Sequence, residues 1–209
     1  MKLIIFGATG KIGRHLVEQA LELGHDVTAF ARTPEKLSGP RENLHVVKGD
    51  VLDPVSVRNA IEGQDGVVCA LGMPLMNTDG LRAKGTKNII HAMEETGVRR
   101  LVCLSGLGAG DSWNLLPFHY RYLIFPLVMR RLYADHERQE SYVKNSPLDW
   151  VIVRPASFVK GAHTGDYRHG FTTADAPPTL RISHADVADF MLKQSADDTY
   201  LRQAPGLSY

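Results

Sequence analysis

The chain has 209 residues, with 24 Lys and Arg against 23 Asp and Glu, a formal net charge of +1. Its 44% hydrophobic and 22% charged residues are ordinary for a globular protein, and the length suffices to bury a core without disulfides or metals. With no basic stripe and no polybasic cluster, nucleic acid and membrane surfaces are excluded as expected partners.

In chain order, Lys2–Phe6 is a nearly continuous apolar strand. Lys11–Leu23 reads as a helix with Ile12, Leu16, Ala20 and Leu23 on one face, stopped by Gly24. Strands follow at Asp26–Phe30 and Leu44–Lys48, and a helix at Pro54–Glu62 opens on a proline. Gly66–Ala70 is the fourth strand, Gly80–Gly97 a long helix and Arg100–Leu104 the fifth strand. Residues 106–119 read as a loop, followed by helical sequence to about Asn145 and a sixth strand at Trp150–Val153. The tail holds a Gly-, Asp-, Thr- and Pro-rich stretch, Gly161–Pro178, and then a helix near His184–Leu192.

Apolar strands alternating with helices predict an α/β fold, a Rossmann-type doubly wound parallel sheet. The reading is one domain over residues 1–209, with about 155–209 contributing a small substrate-side lobe. The apolar stretch Leu115–Met129 is interrupted by Pro117, His119, Arg121 and Pro126 and is too short to span a bilayer. It reads as a protein-covered helix, a lid or a subunit contact, a homodimer face included. Met1 runs straight into a strand, so no secretory signal is expected. Cys69 and Cys103 lie in apolar strands and read as buried free thiols, which points to the cytoplasm.

Gly7, Gly10 and Gly13 stand between the first strand and the first helix in Gly7-Ala8-Thr9-Gly10-Lys11-Ile12-Gly13. A pyrophosphate needs bare backbone, a tight turn and free N–H groups at a helix start. Thr9 adds a hydroxyl. The expected ligand is a nicotinamide dinucleotide, with Lys11 and Ile12 in the same turn. NAD sites place an acid about twenty residues on, at the end of the second strand, whereas that strand here ends Phe30-Ala31-Arg32. Arg32, joined by Lys36, is placed to face a 2′-phosphate, so the expected cofactor is NADP(H). Asp50-Val51 follows the third strand, where the adenine edge should lie. The Asp50 carboxylate either accepts from the adenine amino group or turns the chain before Pro54. Leu71-Gly72, after strand four, offers another backbone approach to the cofactor.

Many short-chain dehydrogenases carry Tyr-x-x-x-Lys as proton donor and pKa tuner. Tyr133 is followed four residues on by Glu137, Tyr120 by Ile124 and Tyr142 by Ser146. The missing pair argues against ordinary alcohol–ketone chemistry, whose substrate oxygen needs a proton relay. His163, His169 and His184 show no metal-ligand spacing with Cys or carboxylates, so no metal is expected.

Several further motifs carry a resemblance: Gly49-Asp50-Val51-Leu52, Gly85-Thr86-Lys87-Asn88-Ile89, Val153-Arg154-Pro155, Thr164-Gly165-Asp166-Tyr167 and Ile182-Ser183-His184-Ala185-Asp186-Val187-Ala188. With Phe6-Gly7-Ala8-Thr9-Gly10 they resemble, over essentially the whole chain, an atypical short-chain dehydrogenase/reductase. Within that group the chain is most similar to the biliverdin-IXβ reductase/flavin reductase family and its bacterial relatives. The resemblance implies an NADPH-dependent reductase passing hydride directly to a flavin, bilin or quinone-like acceptor, with solvent supplying the proton. It also implies that Pro155, Ser157 and Phe158 border the cofactor. The family's Thr-Ser after strand five is Ser105-Gly106 here, and its pocket histidine after strand six falls on Ser157. The other pocket histidine is matched by His136. His136 and Ser105 are therefore the candidate catalytic residues, Ser105 also bonding near the carboxamide. The alternatives are a non-enzymatic NADP(H)-binding redox sensor and, last, an epimerase or dehydratase relative.

Overall fold

The computed structural model describes residues 1–37, 39, 41–72, 80–117, 121–122, 130–173, 175 and 178–209, with only the backbone described at 130–132. The stretch from 118 to 120 and that from 123 to 129, most of the apolar segment read as a lid or homodimer face, lie outside the described residues.

Six parallel strands form the centre: β1 (Lys2–Phe6), β2 (Asp26–Ala31), β3 (Leu44–Lys48), β4 (Gly66–Cys69), β5 (Arg100–Leu104) and β6 (Asp149–Pro155). Their order, β3-β2-β1-β4-β5-β6, is that of the dinucleotide-binding sheet, whose direction reverses beside β1. Helices α1 (Lys11–Glu22), α2 (Pro54–Ile61), α3 (Leu81–Thr96), α4 (Arg130–Lys144) and α5 (His184–Lys193) cover both faces. Alternate residues of each strand enter opposite cores, as the pleat requires. Leu3, Ile5, Val102 and Val151 pack with Leu16 of α1 and Phe190 of α5. Ile4, Phe6, Leu101 and Ile152 pack with Ile89 and Met93 of α3 and Val143 of α4. Burial on both faces is why the inner strands carry no polar alternation, whereas the edge strand β3 has no fully buried residue. Gly80 (φ +68°) and Gly97 (φ +76°) bound α3 in left-handed backbone.

The tail departs from its expected form. The stretch 157–159 forms β7 (Ser157–Val159), which pairs in parallel with β9 (Arg181–Ser183). The Gly-, Asp-, Thr- and Pro-rich stretch contains β8 (Arg168–His169), and β10 (Gly206–Ser208) joins the main sheet in parallel beside β6 with β8 antiparallel on its outer side. Strands of two or three residues carry too little periodicity to be read from sequence. The loop expected at 106–119 also holds a 3-10 turn, Gly110–Leu115. Among the described residues no helix is long and apolar enough to cross a membrane, and no group of three or more His, Cys, Asp or Glu stands together as a metal site.

Candidate functional site

A cleft of about 250 Å³ opens at the carboxyl ends of β1, β2 and β4, beside the point where strand order reverses. It is lined by Gly7, Thr9, Gly10, Arg32, Val51, Leu71 and Gly72 from the expected set, and by Phe30, Ala31, Gly49 and Leu81, which were not expected. The turn that floors it cannot carry side chains. Gly7 sits at φ +82°, and a Cβ there would stand 2.3 Å from the Ala70 carbonyl oxygen. A Cβ on Gly13 would stand 2.1 Å from the Gly7 oxygen. Gly10 donates its N–H to that oxygen at 2.9 Å and caps α1 without a side-chain bond. The N-terminal turn of α1 carries no acidic residue, so its positive dipole end is left for an anion. These features fit a dinucleotide pyrophosphate.

Other expected residues take different places. Lys11 is exposed at the start of α1, and Ile12 is core, 7% exposed. Arg32 is exposed on the cleft wall and forms no ion pair with any described residue. Lys36 does not join it. Pro34 opens a 3-10 turn over Pro34–Lys36 that carries the lysine to a separate hollow beside Arg14, Val17 and Glu18. Asp50 takes the turn role: its Oδ1 accepts from the Leu52 N–H at 2.9 Å, while Asp53 caps α2. Val51 is positioned from behind. Asn88 donates to its carbonyl at 3.0 Å, and Gly85 lets α3 approach so closely that a Cβ there would stand 2.8 Å from Val51 Cγ1 and 3.0 Å from Leu71 Cδ1. The Gly85–Asn88 motif thus acts through the cleft wall, a role no spacing announces.

One strand further along, Ser105 and Gly106 end β5 and face the N-terminal half of α4. Ser105 Oγ donates to Glu140 Oε1 at 2.7 Å and stands 3.3 Å from His136 Nδ1. Burial, with the Arg82 charge adding to it, pushes the His136 pKa down to about 3, so the ring is neutral. With the serine proton on Glu140, His136 must donate from Nδ1, which leaves a lone pair on Nε2. A Cβ on Gly106 would lie 3.7 Å from that Nε2 and 3.5 Å from Tyr133 Oη. Tyr133 Oη donates to the Leu107 carbonyl at 2.7 Å, and burial pushes its pKa up to about 12. Among the described residues, the arrangement beside Gly106 offers an acceptor and a donor already engaged, not an acid.

Glu140 anchors this cluster. It receives Arg154 through two bonds, Nε to Oε1 at 2.9 Å and Nη2 to Oε2 at 2.6 Å, with both side chains almost fully buried. Lys144 and the exposed Asp111 complete the group at 3.1 Å from Glu140 and 2.7 Å from Arg154. Although Glu140 is buried, its hydrogen bonds from Arg154 and Ser105 and the Lys144 charge hold its pKa below the usual carboxylate value. Beyond Arg154 lies a roomier cavity of about 560 Å³ walled by Trp150, Phe171, Tyr200 and residues 202–206. It touches none of the glycine turn, so the cofactor is assigned to the smaller cleft. Pro155 ends β6, and Ser157 and Phe158 are exposed on β7 rather than in the cleft.

The NAD(P)H-binding family signature matches residues 7–198. The chain belongs to the NAD(P)H-binding family. Its cofactor class is therefore NAD(P)H, which the glycine turn and cleft accommodate. A curated relative of this family member is the photosystem II assembly factor Ycf39 of Synechocystis sp., 26% identical over 216 residues, covering 97% of this chain and 61% of the relative. The chain thus spans under two thirds of that relative's length. Among solved structures, the fold is similar to a wide-type short-chain dehydrogenase/reductase of Veillonella parvula in complex with NADP, with TM-score 0.83, 17% identity, and 100% and 94% of the two chains covered. It is also similar to ChuY, an anaerobilin reductase of Escherichia coli O157:H7, with TM-score 0.77, 24% identity, and 100% and 97% covered. The Rossmann-type fold and the NAD(P)H-binding family are accordingly those expected from the glycine turn and the strand–helix alternation.

Proposed function

We propose that this protein is an NADPH-dependent reductase that passes hydride directly to a flavin, a bilin or a similar flat conjugated acceptor. The observation that carries the reading is the hydrogen bonding beside Gly106, from which the proton positions are assigned. Ser105 gives its proton to Glu140, Tyr133 to a backbone carbonyl, and His136 is neutral with its N–H turned to Ser105. A carbonyl turned into an alkoxide needs an acid at that place. An acceptor that spreads the incoming electron pair over a conjugated system does not, and water can protonate it. Bound NADPH supplies the hydride. The glycine turn and α1 hold its pyrophosphate, Arg32 pairs with its 2′-phosphate, and Ser105 and His136 orient what lies over β5. The single domain spans 1–209, with residues 155–209 forming the acceptor side, and it works in the cytoplasm, in keeping with two free buried thiols.

Purified protein with NADPH should lose absorbance at 340 nm when FMN, riboflavin or biliverdin is added. Absence of turnover with all three would overturn the reductase reading. A second reading, an NADP(H)-binding regulator without turnover, draws support from the closed hydrogen bonding of Ser105 and from a relative named as an assembly factor. It requires that NADP+ and NADPH stabilise the protein to different melting temperatures at equal saturation, because only differential binding shifts a conformational equilibrium.

A further inference from the structure

Phe158 is 46% exposed yet rigidly mounted. β7 pairs with β9 so that Phe158 stands opposite Ile182. β9 runs directly into α5, whose start is tied down by Asp186. That carboxylate is fully buried and accepts from Thr164 N at 2.8 Å, Gly165 N at 3.0 Å, Ser183 Oγ at 2.9 Å and Tyr209 Oη at 2.6 Å. The result is a fixed His184 ring stacked on Phe158, centroids 4.8 Å apart and planes 19° from parallel. One face of the phenyl ring is thus backed while the residue remains open to solvent. The pair follows the carboxyl end of β6, the sheet edge at which α/β folds take ligands. Lys11, the first residue of α1 after the phosphate turn, and His15, one turn on, both act electrostatically on His184, adding to burial in lowering its pKa. A flat ring at the sheet's ligand-binding edge, with the charge of Lys11 acting on the histidine that backs it, is built to take a planar molecule carrying negative charge.

We propose that Phe158, backed by His184, is the stacking platform for the acceptor, and that it selects conjugated ring systems bearing phosphate or carboxylate groups. This rests on the reductase reading for the name of the ligand, not for the existence of the platform. Phe158 thereby passes from the cofactor's border, where the family resemblance put it, to the acceptor.

The test is flavin fluorescence quenching on titrating NADP+-loaded protein into riboflavin or FMN, a measurement independent of turnover. The expected result is quenching by wild type, binding weakened about tenfold in Phe158→Ala, and recovery in Phe158→Tyr. NADP+ affinity should be the same in all three proteins. FMN should bind more tightly than riboflavin at low ionic strength, with the gap closing in 0.5 M salt on the order expected from screening. No quenching by wild type, equal affinity in Phe158→Ala, or weakened NADP+ binding in that variant would each overturn the platform. Equal binding of FMN and riboflavin at low salt would overturn the selection for charge. Quenching that depends on Phe158 without any NADPH oxidation would leave the platform standing and remove the reductase reading instead.

Discussion

The cofactor cleft and the cluster at the end of β5 are one strand apart and are built by different means. The cleft is made of backbone and of missing side chains. Gly7, Gly13, Gly49 and Gly85 each stand where a Cβ would collide with a neighbour, and the one charge on its wall, Arg32, has no ion-pair partner among the described residues. The cluster beyond β5 is made of side chains that satisfy one another. His136, Ser105, Glu140, Arg154, Lys144 and Asp111 form a continuous chain of hydrogen bonds and ion pairs. An open site with an unspent charge takes a charged ligand. A closed network fixes geometry and contributes shape.

That contrast can be broken at four places, in descending order of effect. Glu140→Gln leaves Arg154 buried without its paired carboxylate and should cost roughly 3–5 kcal/mol of stability, read from urea denaturation; a loss comparable to a surface mutation would mean that the network is decorative. Gly13→Val should weaken NADPH binding on the order of a hundredfold in titration, because its Cβ has no room under Gly7, while circular dichroism still reports a folded chain. Undiminished binding would place the pyrophosphate elsewhere. Arg32→Ala should weaken NADPH about ten- to a hundredfold and leave NADH within about twofold; equal loss for both cofactors would remove the 2′-phosphate role.

The fourth concerns pH. His136 has a folded pKa near 3 against an ordinary 6.5, so below pH 6.5 the unfolded chain binds a proton that the folded chain refuses. Stability conferred by the neutral ring is therefore complete above pH 6.5 and is lost as pH falls towards the folded value, approaching about 1.4 kcal/mol per pH unit. Glu140, whose folded pKa is also depressed, adds a loss below its ordinary 4.5. His136→Asn should flatten the first slope, measured as denaturation midpoints between pH 6.5 and 5. An unchanged slope would mean that His136 titrates alike in the folded and unfolded chains.

The same contrast explains what could be read from the chain alone. The parallel sheet, the glycine turn and Arg32 were legible, because they depend on local spacing and on strands that are apolar throughout. The place of Lys36 was not, because a single Pro34 redirects the chain through a 3-10 turn. Asp50 offered two equal roles until its bond to Leu52 was seen. Ser105 and His136 could be named as candidates, and they do stand together, but Glu140 could not, since it comes one turn after His136 and meets Arg154 from a separate strand. Nothing in either local sequence distinguishes that buried pair from two solvated charges. Phe158 owes its setting to a two-stranded sheet of three-residue strands, too short to carry a pattern.

The central claim is that hydride leaves NADPH in this cleft for a conjugated acceptor without an acid from the protein. Anaerobic stopped-flow mixing of the NADPH-loaded protein with FMN, followed at 340 nm and 450 nm together, tests it most directly. The account predicts that both absorbances fall with one rate constant, and that the rate shows no titration between pH 6 and 8 which His136→Asn removes. An unchanged 340 nm signal, or a pH limb abolished by that substitution, would contradict it.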